Sequence, residues 1–147
     1  MKNLLAGTYK MNNSDTNKNG WNGCLMRTTH MKTFFNQLPK DLQSAIKTVN
    51  KKATNGDPNY NILTSQDELF LFSQREIDGT TDSGYAGEGS QYQYYANNVN
   101  DRKKGSSWWL RSPTISNSNT FRYFDSGGSV YVTSASNTYG VCFGFCV

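Results

Sequence analysis

Between Gly23 and Gln37 the apolar residues Leu25, Met26, Met31, Phe34 and Phe35 recur at roughly helical spacing, with Leu38 just beyond them. Pro39 is tolerated in a helix's first turn, and Asp41 there suits the helix dipole. Leu42, Ala45, Ile46 and Val49 then repeat at i, i+3, i+4 and i+7. The pattern predicts two helices, about 23–37 and about 40–48. Residues 1–20 read as a loop-rich lead-in, and the turn-forming stretch Asn12 to Asn22 has Trp21 available as an anchor. After the helices, Asn55-Gly56-Asp57-Pro58-Asn59 is a strong breaker.

Further along the chain the period shortens. Asp67 to Ser73 carries Leu69, Phe70, Leu71 and Phe72 without interruption, the mark of a strand buried on both faces. Ile77 to Gly89 holds four glycines in thirteen residues and reads as irregular. Gln91 to Asn97 reads as one helical turn carrying Tyr92, Tyr94 and Tyr95. Ser107 to Pro113 is a second buried strand, stopped by its proline. Phe121 to Phe124 and Ser129 to Thr133, joined by Asp125-Ser126-Gly127-Gly128, read as a hairpin, and Gly140 to Val147 as a closing strand. Helices first and strands later predict one α+β domain over 1–147, without internal repeats.

Composition sharpens this. Hydrophobic residues are 35% and charged residues 18%, against about 45–50% and about 25% in ordinary globular chains. Aromatics, at 14%, fill the gap, which argues against a helix bundle, a coiled coil or a disordered acidic tail. No apolar run approaches the ~20 residues of a membrane span, so no membrane insertion is expected. The apolar stretch at Met1 to Gly7 is too short for a secretory signal, so delivery is expected to be specified elsewhere. The net charge is +4, with the excess in the first 56 residues. Lys40, Lys47, Lys51 and Lys52 sit in the second predicted helix and its exit, so a solvated face, not a nucleic-acid partner, is expected.

Three cysteines rule out a full disulfide framework. On a strand, Cys142 and Cys146 would share a face but stand ~13 Å apart, too far to bridge without a bend. With His30 the only histidine, no metal site is expected, and both thiols read as buried and reduced. His30 itself belongs at the surface or core boundary and is not expected to act as a general base. Adjacent strand residues face opposite ways, so at least one of Trp108 and Trp109 is expected to be buried, and core packing, not a sugar platform, is the reading for both.

One segment differs from the rest. Residues 114–139 contain no Lys, Glu, Gln, Met or Trp, whereas the other 121 hold 26 of them, a rate that predicts about five or six here. Poor strand propensity explains part of the absence. Codons ending in a fixed pyrimidine exclude these five residue types, so randomised adenines in Asn codons of the AAC type would leave this alphabet. Tyr, Ser, Asn and Gly are also the residues of adaptable binding surfaces. A soluble hairpin with a polar face and a diversified binding segment both stay open on composition.

Several motifs together carry a resemblance. They are Gly20-Trp21 with Met26-Arg27-Thr28, Asp67-Glu68-Leu69-Phe70-Leu71-Phe72-Ser73, Gly87-Glu88-Gly89-Ser90-Gln91-Tyr92, Trp108-Trp109-Leu110-Arg111-Ser112-Pro113 and Gly140-Val141-Cys142-Phe143-Gly144-Phe145-Cys146. The chain resembles a domain family of gut bacteria and their phages, usually found at protein C-termini. That family is similar to the C-type-lectin-fold variable proteins of diversity-generating retroelements, in which adenine-specific mutagenesis rewrites a C-terminal ligand-binding face. The resemblance implies a C-type-lectin-like fold, with two helices packed on a small, mainly antiparallel, twisted sheet with long irregular loops. It implies a non-catalytic receptor or adhesin module on a phage virion or bacterial cell surface, without cofactor, binding a protein or glycan on a target cell. Trp108, Trp109, Leu110 and Arg111 would be scaffold. The face would comprise Ile115, Asn117, Asn119, Arg122, Phe124, Tyr131, Thr133, Ser134, Asn137 and Tyr139, while Tyr123, Val130 and Val132 would point into the core. A more distant resemblance, to formylglycine-generating enzymes, implies the alternative of a copper oxidase using Cys142 and Cys146 as thiol ligands.

Overall fold

Helices in this chain are short because each apolar repeat is soon interrupted. The computed structural model describes residues 4–56, 59 and 61–147. The helix predicted over about 23–37 forms as a π-helical turn (Met26–His30) running into α2 (Met31–Gln37), and a short α1 (Gly20–Gly23) precedes it in the stretch read as a loop. The break lies at Cys24, whose backbone is extended. Met26, Met31 and Phe34 form the buried stripe.

The second helix is shorter than its apolar repeat. α3 (Lys40–Ala45) buries no residue and ends where Ile46 turns extended. Val49 belongs instead to strand β1 (Val49–Thr54), which pairs antiparallel with β2 (Ile62–Asp67) from Val49↔Asp67 to Thr54↔Ile62. Sheet pairing overrides the local helical period. The expectation that Lys51 lies on a solvated face is therefore corrected: it is 8% exposed, and its ammonium donates to the Glu76 carboxylate.

The run expected as one strand over 67–73 splits, leaving β3 (Phe70–Leu71) antiparallel to β7 (Phe143–Gly144). The closing strand shrinks to those two β7 residues plus isolated bridges at Gly140 and Cys146. Region 77–89 is more regular than its glycines predict. Ser73 and Glu76 form a reciprocal capping box that starts α4 (Gln74–Asp78), and a 3₁₀ turn follows over Ser83–Glu88. α5 (Gln93–Asn97) is the expected tyrosine-bearing turn, with a further 3₁₀ turn at Val99–Arg102.

The third sheet is antiparallel, in the order β4 (Trp108–Pro113), β5 (Thr120–Phe124), β6 (Val130–Ser134). Every residue of β4 is buried. The architecture is thus mixed α+β, with small antiparallel sheets and few helices. Among the described residues no helix is long and apolar enough to cross a membrane. Met1–Asn3 of the lead-in, and Asp57 and Pro58 of the breaker, lie outside the described residues.

Arg111 ties the sheets together from within. Fully buried, it donates to the carbonyls of Lys52 (3.0 Å), Leu71 (2.8 Å) and Glu88 (3.0 Å) and to the Glu76 carboxylate. Burial alone would raise the Glu76 carboxyl, but the Arg111 and Lys51 cations hold it below its ordinary value. Glu88, also fully buried, accepts from Thr54 N (2.9 Å) and from the Ser112 hydroxyl. Burial pushes its carboxyl up to about 7, against the opposing pull of Arg111 and Ser112. Replacing Arg111 would remove one of the two cations that face Glu76 and take a donor from each of three carbonyls.

Candidate functional site

The C-terminal hairpin is built on the β4 tryptophans. Trp108 and Trp109 are both fully buried. Their indole nitrogens donate to Arg102 O (2.9 Å) and Tyr9 O (2.7 Å), so neither ring can swing out without losing a bond. Alternation along β4 sends Trp108 to one face, where it stacks on Phe124 at 5.2 Å. Trp109 goes to the other face and meets Tyr139 at 5.0 Å.

The register of β5 with β6 decides what the hairpin displays. Phe124 pairs with Val130, Arg122 with Val132, Tyr123 with Tyr131 and Phe121 with Thr133. The connecting loop is therefore 125–129, closed by Asp125 N to Ser129 O (2.9 Å) and by Ser129 N to the Asp125 side chain (2.8 Å). It is one residue longer than the four-residue turn expected. A shift of one residue exchanges the two faces of a strand. Arg122 and Phe124 consequently share a face with Val130, Val132 and Ser134, and Tyr131 and Thr133 share the opposite one with Phe121 and Tyr123.

This register corrects several expectations. Phe124 is 1% exposed and belongs to the core through its stack on Trp108. Arg122 lies across the sheet from Tyr131. Its guanidinium sits 4.0 Å over the Tyr85 ring, donates to the Gln74 side chain and reaches Asp82 at 3.5 Å, so it braces the hairpin against α4 and the 83–88 turn. Val132, expected inside, is 49% exposed at the sheet edge. Tyr123, also expected inside, joins a row of rings on the open face: 4.5 Å from Tyr139 and 6.2 Å from Tyr131. Burial, with the neighbouring Tyr139, raises the Tyr123 phenol to about 12, so it stays a neutral hydroxyl at physiological pH.

The open face therefore gathers Tyr131 (54% exposed), Tyr123, Tyr139, Thr133 and Asn137, whose amide donates to Thr133 Oγ1 at 2.5 Å. Ile115 and Asn119 are half-buried and Asn117 is exposed on the loop between β4 and β5, while half-buried Ser134 ends β6 on the Arg122 side. What holds this segment is mostly main chain. Asn17, 3% exposed, donates its side-chain amide to Thr114 O (2.9 Å), Asn117 O (2.7 Å) and Thr120 O (2.9 Å), and its backbone N to Ser118 O (2.9 Å). Asn12 N donates to Ala135 O (3.0 Å), and Tyr9 and Tyr139 exchange backbone bonds (2.8 and 3.1 Å). Asn17 was invisible in the sequence, since one Asn in a turn-rich stretch carries no pattern. The Tyr123 position depended on a register that the turn residues left open.

The two C-terminal thiols differ in environment. Cys142 is fully buried, and burial raises its thiol, whereas Cys146 is exposed beyond β7, which corrects the expectation that both are inside. Among the described residues, no three His, Cys, Asp or Glu side chains are grouped to hold a metal ion. His30 is half-buried, edge-on to Tyr9 at 5.3 Å, and burial lowers its pKa. One cavity of about 360 Å³ lies between Arg27 and Glu68, and an aromatic groove of about 470 Å³ lies between Phe72, Tyr94 and Phe145. Neither is lined by residues 114–139.

No curated protein and no solved structure matches the chain. One family model does, over residues 1–147. The chain belongs to the DUF6273 family, a domain of unknown function.

Proposed function

We propose that this chain is a non-catalytic ligand-binding module, receptor or adhesin in type, on a C-type-lectin-like frame displayed on a phage or bacterial surface. Segment 114–139 is its binding segment, diversified by a retroelement, and its ligand is a protein or glycan on a target cell. The contact surface comprises Tyr131, Thr133, Asn137 and Tyr139, with Tyr123 added and with the loop residues Ile115, Asn117 and Asn119 beside it. Arg122, Phe124 and Ser134 are left out of it.

One observation carries this reading. The frame grips the segment through carbonyl oxygens at Thr114, Asn117, Ser118, Thr120 and Ala135, which every residue type supplies. Side chains at 115, 117, 119, 131, 133 and 137 can then change without dismantling the anchor. A row of tyrosines suits recognition, since such rings bring large contact area at low entropy cost.

The test replaces Asn117, Asn119, Tyr131, Thr133 and Asn137 together by Ala or Ser. Melting temperature should fall by no more than ~5 °C. Binding to a panel of gut bacterial cells and arrayed glycans should be lost. A fall above ~10 °C, or binding that survives the replacement, would refute the assignment.

A further inference from the structure

β6 is the outermost strand of its sheet. The bonds Ala135 N to Asn119 O and Asp125 N to Ser129 O, both 2.9 Å, fix the hydrogen-bonding parity of the hairpin. With that parity the odd-numbered Tyr131 and Thr133 exchange bonds with β5. The N–H and C=O groups of Val130, Val132 and Ser134 point away from it, off the sheet. Ser134 O accepts from Asn137 N at 3.0 Å, and among the described residues none bonds the outward groups of Val130 or Val132.

Free strand edges are normally blunted by charge, proline, a bulge or a covering loop. β6 reads Val130-Tyr131-Val132-Thr133-Ser134, with no charge and no proline, and its five residues pair with β5 in unbroken register. Tyr131 and Val132 are about half exposed on its two faces. Among the charged residues around it, Arg122 is occupied by Gln74, Asp82 and the Tyr85 ring, Asp125 by Ser129 N, and Asp15 by Ser136 beyond the strand's end, while the Lys103 stem lies against Gly128 ahead of its start.

We infer that β6 is a self-association edge, at which two copies of this chain pair antiparallel about a two-fold axis at Val132 and join two three-stranded sheets into one of six. The strand's self-complementarity selects this occupant. The axis sets Val132 against the partner's Val132, Val130 against the partner's Ser134, and Tyr131 against the partner's Thr133. Each pair is neutral, and each outward donor meets an outward acceptor. The contact is short and well under a standard interface, so the dimer forms only at high micromolar to millimolar concentration or when copies are held close on a surface. This inference does not rest on the ligand-binding reading.

Sedimentation equilibrium of the chain from about 10 µM to about 1 mM tests it. Val132→Pro removes an N–H that β5 does not use, which edge strands tolerate. Val132→Lys sets like charges across the axis. The wild-type average mass should climb from 16.5 kDa toward twice that value. Both variants should stay at the monomer mass with unchanged near-ultraviolet circular dichroism. The Val132 amide should exchange several-fold more slowly at the highest wild-type concentration, while the Tyr131 amide, already bonded to β5, should not change. If Val132→Pro fails to fold, Val132→Lys decides. A wild-type chain that stays monomeric throughout overturns the proposal, even if an unrelated extended peptide pairs with the edge. Variants that associate as strongly as wild type overturn it too.

Discussion

Removing the Asn17 side chain should loosen the segment that carries the proposed binding surface far more than removing an exposed side chain of its loop, such as Asn117. The amide nitrogen has two hydrogens and meets three carbonyls at 2.7–2.9 Å, so Asn17→Ala deletes about two full bonds at a site 3% exposed. At about 1 kcal/mol per bond, plus part of the cost of leaving buried carbonyls unmatched, the loss is about 2–3 kcal/mol. For a chain of this size that is roughly 5–10 °C in Tm. Thr120 O keeps its bond from Thr114 N (3.0 Å), which limits the damage to the loop. Asn117→Ala and Asn119→Ala change side chains on the gripped loop without touching the grip. Each should cost under about 0.5 kcal/mol, including the bond from Asn119 N to Asn117 Oδ1. Thermal and urea unfolding followed by circular dichroism measure all three. A loss below about 1 kcal/mol for Asn17→Ala, or an equal loss for Asn117→Ala, would refute the main-chain anchor.

Three further outcomes follow from the packing and the buried charges. Phe124→Ala, in the core against Trp108, should cost about 3–5 kcal/mol, whereas Tyr131→Ala on the same hairpin should cost under about 0.5, both read from urea midpoints. Glu88 has a folded pKa of about 7, above its ordinary 4.5, so its contribution is fully present below pH 4.5 and is lost as pH rises toward 7. The stability advantage of wild type over Glu88→Gln should therefore shrink between pH 5 and 8. Taking the difference cancels His30 and Glu76, whose depressed values favour stability at the higher pH. A gap independent of pH would show that Glu88 stays ionised throughout. In the native chain iodoacetamide should label Cys146 alone, because burial encloses Cys24 and Cys142 and raises both thiols, Cys24 to about 12. Rapid native labelling of Cys142 would reopen the oxidase alternative.

The sequence was legible where one residue type has one use. The apolar runs around Phe70 and Trp108 announced buried strands, and the aromatic–turn–aromatic pattern at 121–133 announced a hairpin. It was less legible where two local rules competed. Val49 fits the helical repeat that begins at Leu42, yet pairing with Asp67 on β2 claims it. The hairpin faces turned on a single residue of loop length, which Asp125-Ser126-Gly127-Gly128-Ser129 does not announce, and that residue exchanged Tyr123 for Arg122 and Phe124 on the open face. Ionic contacts made across long sequence separations, such as Lys51 and Arg111 on Glu76, leave no periodic trace at all.

If segment 114–139 varies for binding on a constant frame, the gene itself carries the record. Resequencing this gene across many isolates of one population tests it most directly. Replacements should be traceable to adenines and concentrated at codons 115, 117, 119, 131, 133, 137 and 139, with Trp108, Trp109, Phe121, Phe124 and Asn17 unchanged. Replacements spread evenly along the chain, or falling on Phe121 and Phe124 as often as on Tyr131, would contradict it.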